Sequence, residues 1–353
     1  MFLKSKSDKI EMDVADFTGP IEIANIPGKG RGIIASEDIK AGTLLIVSKA
    51  FASGYSQDFL GPMNSATAKN VAQTLLINKA MKNLQKNPHR AKEVYDLYAG
   101  DDDMEKEEIP EGIIDAVRII QIVEFNAFGF DGEANIEANL YILPSFFNHA
   151  CPENACRTFY GDVMEVHAVV DVQKGKEICL SYISKPYLLD YSVRKEKFHD
   201  WNFTCNCRLC ETDSKDEFSS KRAQMFAEFK EYAQANSKNH ELVIAKGEKF
   251  LQQIRESYAK RNDFKIVLVE LLKLLYRYYK AVKNGKECFK CWEEVVELVN
   301  KSCRYDIDLA CMTYDLAHFL YKSNIAEKDG LVKKALEMSF CSDLEHFKML
   351  NNV

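Results

Sequence analysis

The first 150 residues contain no cysteine, although the 353-residue chain has 11, so the N-terminal part offers no thiol to a metal. Glycine (16) and proline (8) are too scarce for a linker-dominated or collagen-like chain. Long apolar runs are also missing. The longest, Ile266 to Tyr279, is interrupted by Glu270 and Lys273 and falls short of the roughly 20 residues needed to cross a bilayer. No membrane association is expected. Lys4, Lys6, Asp8 and Lys9 have no apolar stretch behind them, so an intracellular protein, nuclear or cytoplasmic, is expected rather than a secreted one. Basic charge is not in excess either: 47 Lys and Arg against 53 Asp and Glu give a net −6, which argues against direct nucleic-acid binding. What is there, 46% hydrophobic and 28% charged residues, fits a soluble globular chain of two or three domains.

The chain opens β-rich. Ile21–Ala24, Gly32–Ala35 and Thr43–Val47 read as strands, separated by Pro27-Gly28-Lys29-Gly30 and Ala41-Gly42. Val71, Leu75, Leu76 and Ala80 then fall at helical spacing from Ser65 to about Tyr98. Six carboxylates crowd Asp101–Glu108, a solvated loop or an acidic docking site for a Lys-rich peptide. After a short helix near 113–125, strands are expected at 139–142, 155–160, 164–170 and 177–181, with a hairpin turn at Gly161-Asp162. From about Ser219 onward the pattern is helical, with breaks at Asn262-Asp263, Asn284-Gly285 and Asn324 that imply antiparallel neighbours.

Chemistry concentrates in four segments. Cys205-Asn206-Cys207-Arg208-Leu209-Cys210 brings three thiols close enough to converge on one tetrahedral zinc, and the nearest candidate for the fourth ligand is Cys151. Crowded surface thiols would oxidise unless something held them, which disfavours ordinary reduced cysteines. Cys288 and Cys291, by contrast, have no second pair at zinc spacing and read as helix-packed thiols. Phe146 to Asn154 forms a polar knot in which Asn148 and His149 must bond to backbone or to a ligand; alone, they read as a satisfied core pair. Glu177 to Tyr182 is an apolar strand closed by a tyrosine, alone a core aromatic. Gly28-Lys29-Gly30-Arg31-Gly32 permits a tight turn or close approach to a ligand, yet lacks the following helix of a phosphate loop.

In this order and combination, the segments resemble the SET-domain protein lysine methyltransferases, closest to the SET-and-MYND branch, over about residues 20–212. Gly28–Gly32 looks like the family's glycine turn, Asn126-Ala127-Phe128 like its Asn-Ser-Phe segment, and Asn148–Asn154 like Asn-His-Ser-Cys-x-Pro-Asn. Ile178–Tyr182 looks like the strand ending in the catalytic tyrosine. Trp201-Asn202-Phe203 with the three cysteines look like the post-SET segment, and Arg194–Lys197 before it resembles the family's usual linker. Two departures stand out: Pro152 and Glu153 are exchanged relative to the motif, and residues 50–110 hold no cysteine, so the MYND zinc finger is missing.

The resemblance implies an α+β protein. A β-rich SET fold with knot-like threading, residues 20–183, would carry a helical insertion at about 53–115. It would follow a tail (1–19) and precede a zinc-binding post-SET segment (184–212), while the helical periodicity beyond gives an all-α domain of helical hairpins (213–353), TPR-like by analogy only. It further implies S-adenosylmethionine as methyl donor and a protein lysine, on a histone tail or elsewhere, as acceptor. Lys29, Gly30, Asn126, Asn148, His149 and Phe203 would hold the cofactor, and Tyr182 would face the methyl group. Phe128, Tyr182 and Trp201 would line the lysine channel, and Cys151, Cys205, Cys207 and Cys210 would bind a structural Zn2+. A monomer is expected. The competing reading is a catalytically silent SET protein that acts as an interaction module through its helical C-terminal domain.

Overall fold

A computed structural model describes residues 15–58, 64–100, 109–110, 112–131, 136–185, 189–199, 201–302, 305–321, 324–341 and 343–351. The acidic run Asp101–Glu108 lies outside them. Among the described residues the β-rich part contains eleven strands: β1 (Phe17–Thr18), β2 (Ile21–Ile26), β3 (Gly30–Ala35), β4 (Leu44–Lys49), β5 (Ala52–Tyr55), β6 (Ala127–Asp131), β7 (Ile136–Leu140), β8 (Asn148–His149), β9 (Ala155–Tyr160), β10 (Val163–Ala168) and β11 (Glu177–Leu180). They form three small sheets, ordered β1-β4-β10-β9, β2-β3-β11-β8 and β5-β7-β6. Among the described strands all pairings are antiparallel except β8 with β11. The expected hairpin is present: Tyr160 pairs with Val163 across Gly161, whose φ of 59° suits glycine.

The first two sheets bury Ile33, Leu45, Ile46, Phe147, Met164, Val166 and Ile178 in one core. The third is backed by helices α1 (Ser65–Lys86), α2 (Ala91–Tyr95) and α3 (Ala116–Asn126), which close over Leu76, Leu84, Ile119 and Ile122. Gly54 of β5 allows this, because a Cβ there would sit 2.1 Å from the carbonyl oxygen of Ala72. The helical layer runs beyond residue 115: Asp115 caps α3 by accepting from the Arg118 N–H at 3.0 Å, and Ile119, Ile122 and Val123 fill the layer.

The C-terminal region is helical, with α4 (Tyr191–His199), α5 (Arg208–Ser214), α6 (Ser219–Ala235), α7 (His240–Ser257), α8 (Ile266–Ala281), α9 (Gly285–Lys301), α10 (Ile307–Leu320), α11 (Ile325–Ser339) and α12 (Leu344–Asn351). Two breaks seen in the sequence are helix caps: the side chains of Asn284 and Asn324 accept from the N–H groups of Glu287 and Glu327. Consecutive helices from α6 to α11 pack together around Phe229, Leu271, Leu275, Trp292 and Leu316. Lys273, which interrupts the apolar run, is buried but paired with Asp306 at 2.6 Å. Cys288 and Cys291 are buried in this core, as helix-packed thiols should be. Among the described residues no helix is long and apolar enough to cross a membrane.

Candidate functional site

The parallel pairing of β8 with β11 sets Asn148 beside Cys179 and His149 beside Leu180. β11 also pairs with β3, Glu177 opposite Ile34, and so draws the glycine turn to the Asn-His loop. Gly28 and Gly30 have φ of 74° and 73°, which L side chains rarely adopt. Gly32 is required for another reason: a Cβ there would lie 2.6 Å from Nδ2 of Asn148. Glu177 joins the two segments, one carboxylate oxygen 2.6 Å from the Lys29 ammonium and the other accepting from Asn148 Nδ2 at 2.9 Å. Partial burial is the largest single influence and opposes the charge on Lys29, but the bond to Glu177 together with the nearby negative charges of Cys179, Glu177 and Cys205 raises its pKa overall. The sequence reading missed this carboxylate; the only signal was its place at the head of the strand that ends in Tyr182.

Tyr182 is tied at both ends. Its hydroxyl donates to the Phe147 carbonyl at 2.7 Å, and its main-chain N–H donates to His149 Nδ1 at 2.9 Å. His149 Nε2 lies 3.4 Å from the Cys151 sulfur. Both ring nitrogens are therefore engaged inside the protein, and only the main chain of His149 is left to meet a ligand. Burial pushes the His149 pKa down to about 3 and raises that of the Tyr182 hydroxyl. Around them gather Trp201, 5.7 Å from Tyr182 between ring centroids, and Phe203, 6.1 Å from Tyr182 and 5.9 Å from His149. Phe198, which sequence reasoning passed over, stacks on Phe203 at 5.2 Å and packs against His149 at 4.3 Å.

The four cysteines converge. Cys151 Sγ lies 3.5 Å from Cys210 Sγ and 4.0 Å from Cys205 Sγ, and the sulfurs of all four lie within 4.8 Å of one another, the one such cluster among the described residues. A tetrahedral ion with Zn–S bonds of about 2.3 Å has sulfur–sulfur edges near 3.8 Å, so the donor set fits zinc. Despite the exchanged Pro152 and Glu153, the loop keeps its anchors. Asn154 donates to the Glu177 carbonyl at 2.9 Å and accepts from the Cys179 N–H at 2.7 Å, while Glu153 accepts from the Ser181 N–H at 2.9 Å.

Two expected residues are attached elsewhere. Asn126 donates to the carbonyls of Tyr98 at 2.6 Å and Ile122 at 2.7 Å, so its amide ties α3 to the end of the α2 segment. Phe128 packs edge-on against Tyr141 at 5.7 Å. It approaches Tyr182 through Arg157, whose guanidinium lies 5.8 Å from the Phe128 ring and donates to the Ser181 carbonyl at 2.7 Å.

The SET domain family matches residues 30–183. A methyltransferase of Gibberella zeae is 24% identical over 76% of this chain and 41% of its own length. The histone-lysine N-methyltransferase ASHR2 of Arabidopsis thaliana is 37% identical over 21% of this chain and 20% of its own, and the N-lysine methyltransferase SMYD2-A of Xenopus laevis 35% over 27% and 22%. The chain thus spans less than half the length of these relatives. A solved structure of the SET domain of LSMT bound to lysine and AdoHcy aligns at 10% identity and a TM-score of 0.31, over 94% of this chain and 87% of that one. Over residues 30–183 the chain is similar to the SET domain family.

Proposed function

We propose that this chain is an S-adenosylmethionine-dependent protein-lysine N-methyltransferase. The observation that carries the reading is the convergence of Tyr182, His149, Trp201 and Phe203 beside a glycine turn held by Glu177. A Cβ placed on Gly28 or Gly30 meets nothing within 4 Å, so the turn's backbone is open to a ligand. With an amide at Asn148 and a partly buried aromatic ring at Phe203, the surroundings fit an amino acid joined to an adenosine.

When bound, S-adenosylmethionine supplies a methyl group on a cationic sulfonium. The protein's task is alignment, which can lower such a barrier by several kcal/mol. The main chain at Lys29 and Gly30, with Asn148 and the backbone of His149, would hold the amino-acid and ribose parts, and Phe203 would stack on adenine. Tyr182, kept in place by the Phe147 carbonyl and the His149 ring, would border the reacting centre. Tyr182 and Trp201, with Phe128 beyond Arg157, would wall the lysine stem. The amine must be neutral to attack. Burial among these rings disfavours an ammonium, and the Arg157 guanidinium close to Tyr182 disfavours a second cation, so the proton passes to water without a dedicated base. Zinc on Cys151, Cys205, Cys207 and Cys210 would have a structural role, clamping Trp201–Phe203 against the Asn-His loop.

The test is incubation of the protein with methyl-labelled cofactor and a whole-proteome extract, beside a calorimetric titration with S-adenosylmethionine. Labelled lysine, lost in Tyr182→Phe, is expected. No cofactor binding would instead favour the non-catalytic interaction module.

A further inference from the structure

Four thiolates around one dication leave a net charge of −2, which a buried site must balance. Next to the cysteines, three guanidiniums and two carboxylates form one chain of ion pairs. Arg194 of α4 meets Asp213 of α5 at 2.5 Å; Asp213 meets Arg261, between α7 and α8, at 2.6 Å; Arg261 meets Asp216 at 2.9 Å; and Asp216 meets Arg222 of α6. Arg194 and Arg222 are each 1% exposed. Two carboxylates offset two guanidiniums, so one positive charge is left over within the chain. Asp190 also feels Arg194 but is only partly buried and accepts from the N–H and hydroxyl of Ser192.

One end of the chain faces the thiols: Asp213, the partner of Arg194, stands one turn after Cys210 on α5. Arg194 is within electrostatic reach of Cys210 and Cys151, and its buried Nε has no hydrogen-bond partner among the described residues. The two helices joined by the first ion pair, α4 and α5, bracket the segment that carries Trp201, Phe203, Cys205 and Cys207.

We infer that Arg194 is the electrostatic counterpart of a tetrathiolate zinc centre at Cys151, Cys205, Cys207 and Cys210, and that Asp213, Arg261, Asp216 and Arg222 couple that centre to the C-terminal helices. The inference rests on the zinc reading above. Arg194 is a positioning residue: it holds the metal site and the segment over Phe203 without touching substrate. Metal loading therefore tightens the seat of the helical domain, and metal loss leaves a buried positive charge uncompensated.

The test uses the full chain, stripped of metal and titrated with Co2+, whose visible bands report tetrahedral thiolate binding, and with Zn2+ against a chromophoric chelator. Arg194→Met should weaken metal affinity by about tenfold or more and shrink the rise in Tm that metal produces. Arg194→Lys should recover most of the affinity, and Arg261→Met, two links away, should weaken it less than Arg194→Met. Circular dichroism confirms that each variant is folded. Equal affinity in Arg194→Met and wild type, or no recovery in Arg194→Lys, overturns the inference and leaves the zinc site standing. Failure of the wild-type chain to bind Co2+ overturns the zinc site itself.

Discussion

Tyr182 donates its main-chain N–H to Nδ1 of His149 across 2.9 Å, between residues 33 apart in sequence. Nδ1 therefore carries no proton, and the neutral imidazole presents its N–H at Nε2 to the sulfur of Cys151, 3.4 Å away. One buried ring thus links the backbone of the proposed catalytic tyrosine to a proposed zinc ligand. Metal binding and active-site geometry should not be separable.

Cys207→Ser accordingly is expected to lose zinc and cofactor binding together, because the free energy of binding structural zinc is folding free energy, about 10–16 kcal/mol in small zinc peptides. Elemental analysis with calorimetric titration of the same sample checks this. Full cofactor affinity in a metal-free variant would refute the link.

Tyr182→Phe removes the hydroxyl bonded to the Phe147 carbonyl but leaves the ring and the N–H to His149. Stability should fall by only about 1 kcal/mol, whereas methyl transfer should drop on the order of 100-fold, the scale of a 1 Å misplacement. Thermal melts and single-turnover transfer of a labelled methyl group separate the two.

Gly32→Ala places a methyl 2.6 Å from Nδ2 of Asn148 and 2.7 Å from Cγ1 of Ile26. Overpacking of this kind costs about 1–3 kcal/mol. Displacing Asn148 should weaken S-adenosylmethionine binding by roughly tenfold, the equivalent of 1.4 kcal/mol. Affinity unchanged from wild type would mean that Asn148 does not hold the cofactor.

Stability should decline in mild acid through the contact between the hairpin and α12. His346 lies 2.6 Å from the Tyr160 hydroxyl, and its pKa is lowered by burial although Asp343 opposes the shift. His167 is lowered by burial and by the neighbouring charge of His346. Both folded values lie below the ordinary 6.5, so as pH falls the unfolded chain takes up protons first. The stability is complete above 6.5 and is lost below it. Tm measured from pH 8 to pH 5 should show a shallower decline in His346→Gln than in wild type. Superimposable profiles would remove His346 as a cause.

Much of the site was legible because it is local. Three thiols in Cys205–Cys210 and glycines at 28, 30 and 32 act within a turn of their own positions, so spacing alone exposes them. Glu177 was not legible as a bridge. Its partners are 148 and 29 residues away and meet only because β11 lies between β3 and β8. Asn126 shows the reverse: a motif match suggested the cofactor, but the position at the end of α3 directs its amide to the carbonyls of Tyr98 and Ile122. Phe198 carried no mark separating it from other helical aromatics.

By itself the amino-acid order determined which thiols stand close, where the chain turns from alternating to helical periodicity, and that the net charge is modestly acidic. Tertiary structure brought Cys151, which spacing had only nominated, to the other three cysteines, and it alone decided that His149 turns one nitrogen to Tyr182 and the other to sulfur and that Arg194 is buried and paired with Asp213. The reason is physical. Periodicity reports which face of an element avoids water, whereas the partner of a buried polar group depends on which strands and helices cross, and that emerges only when the cores close.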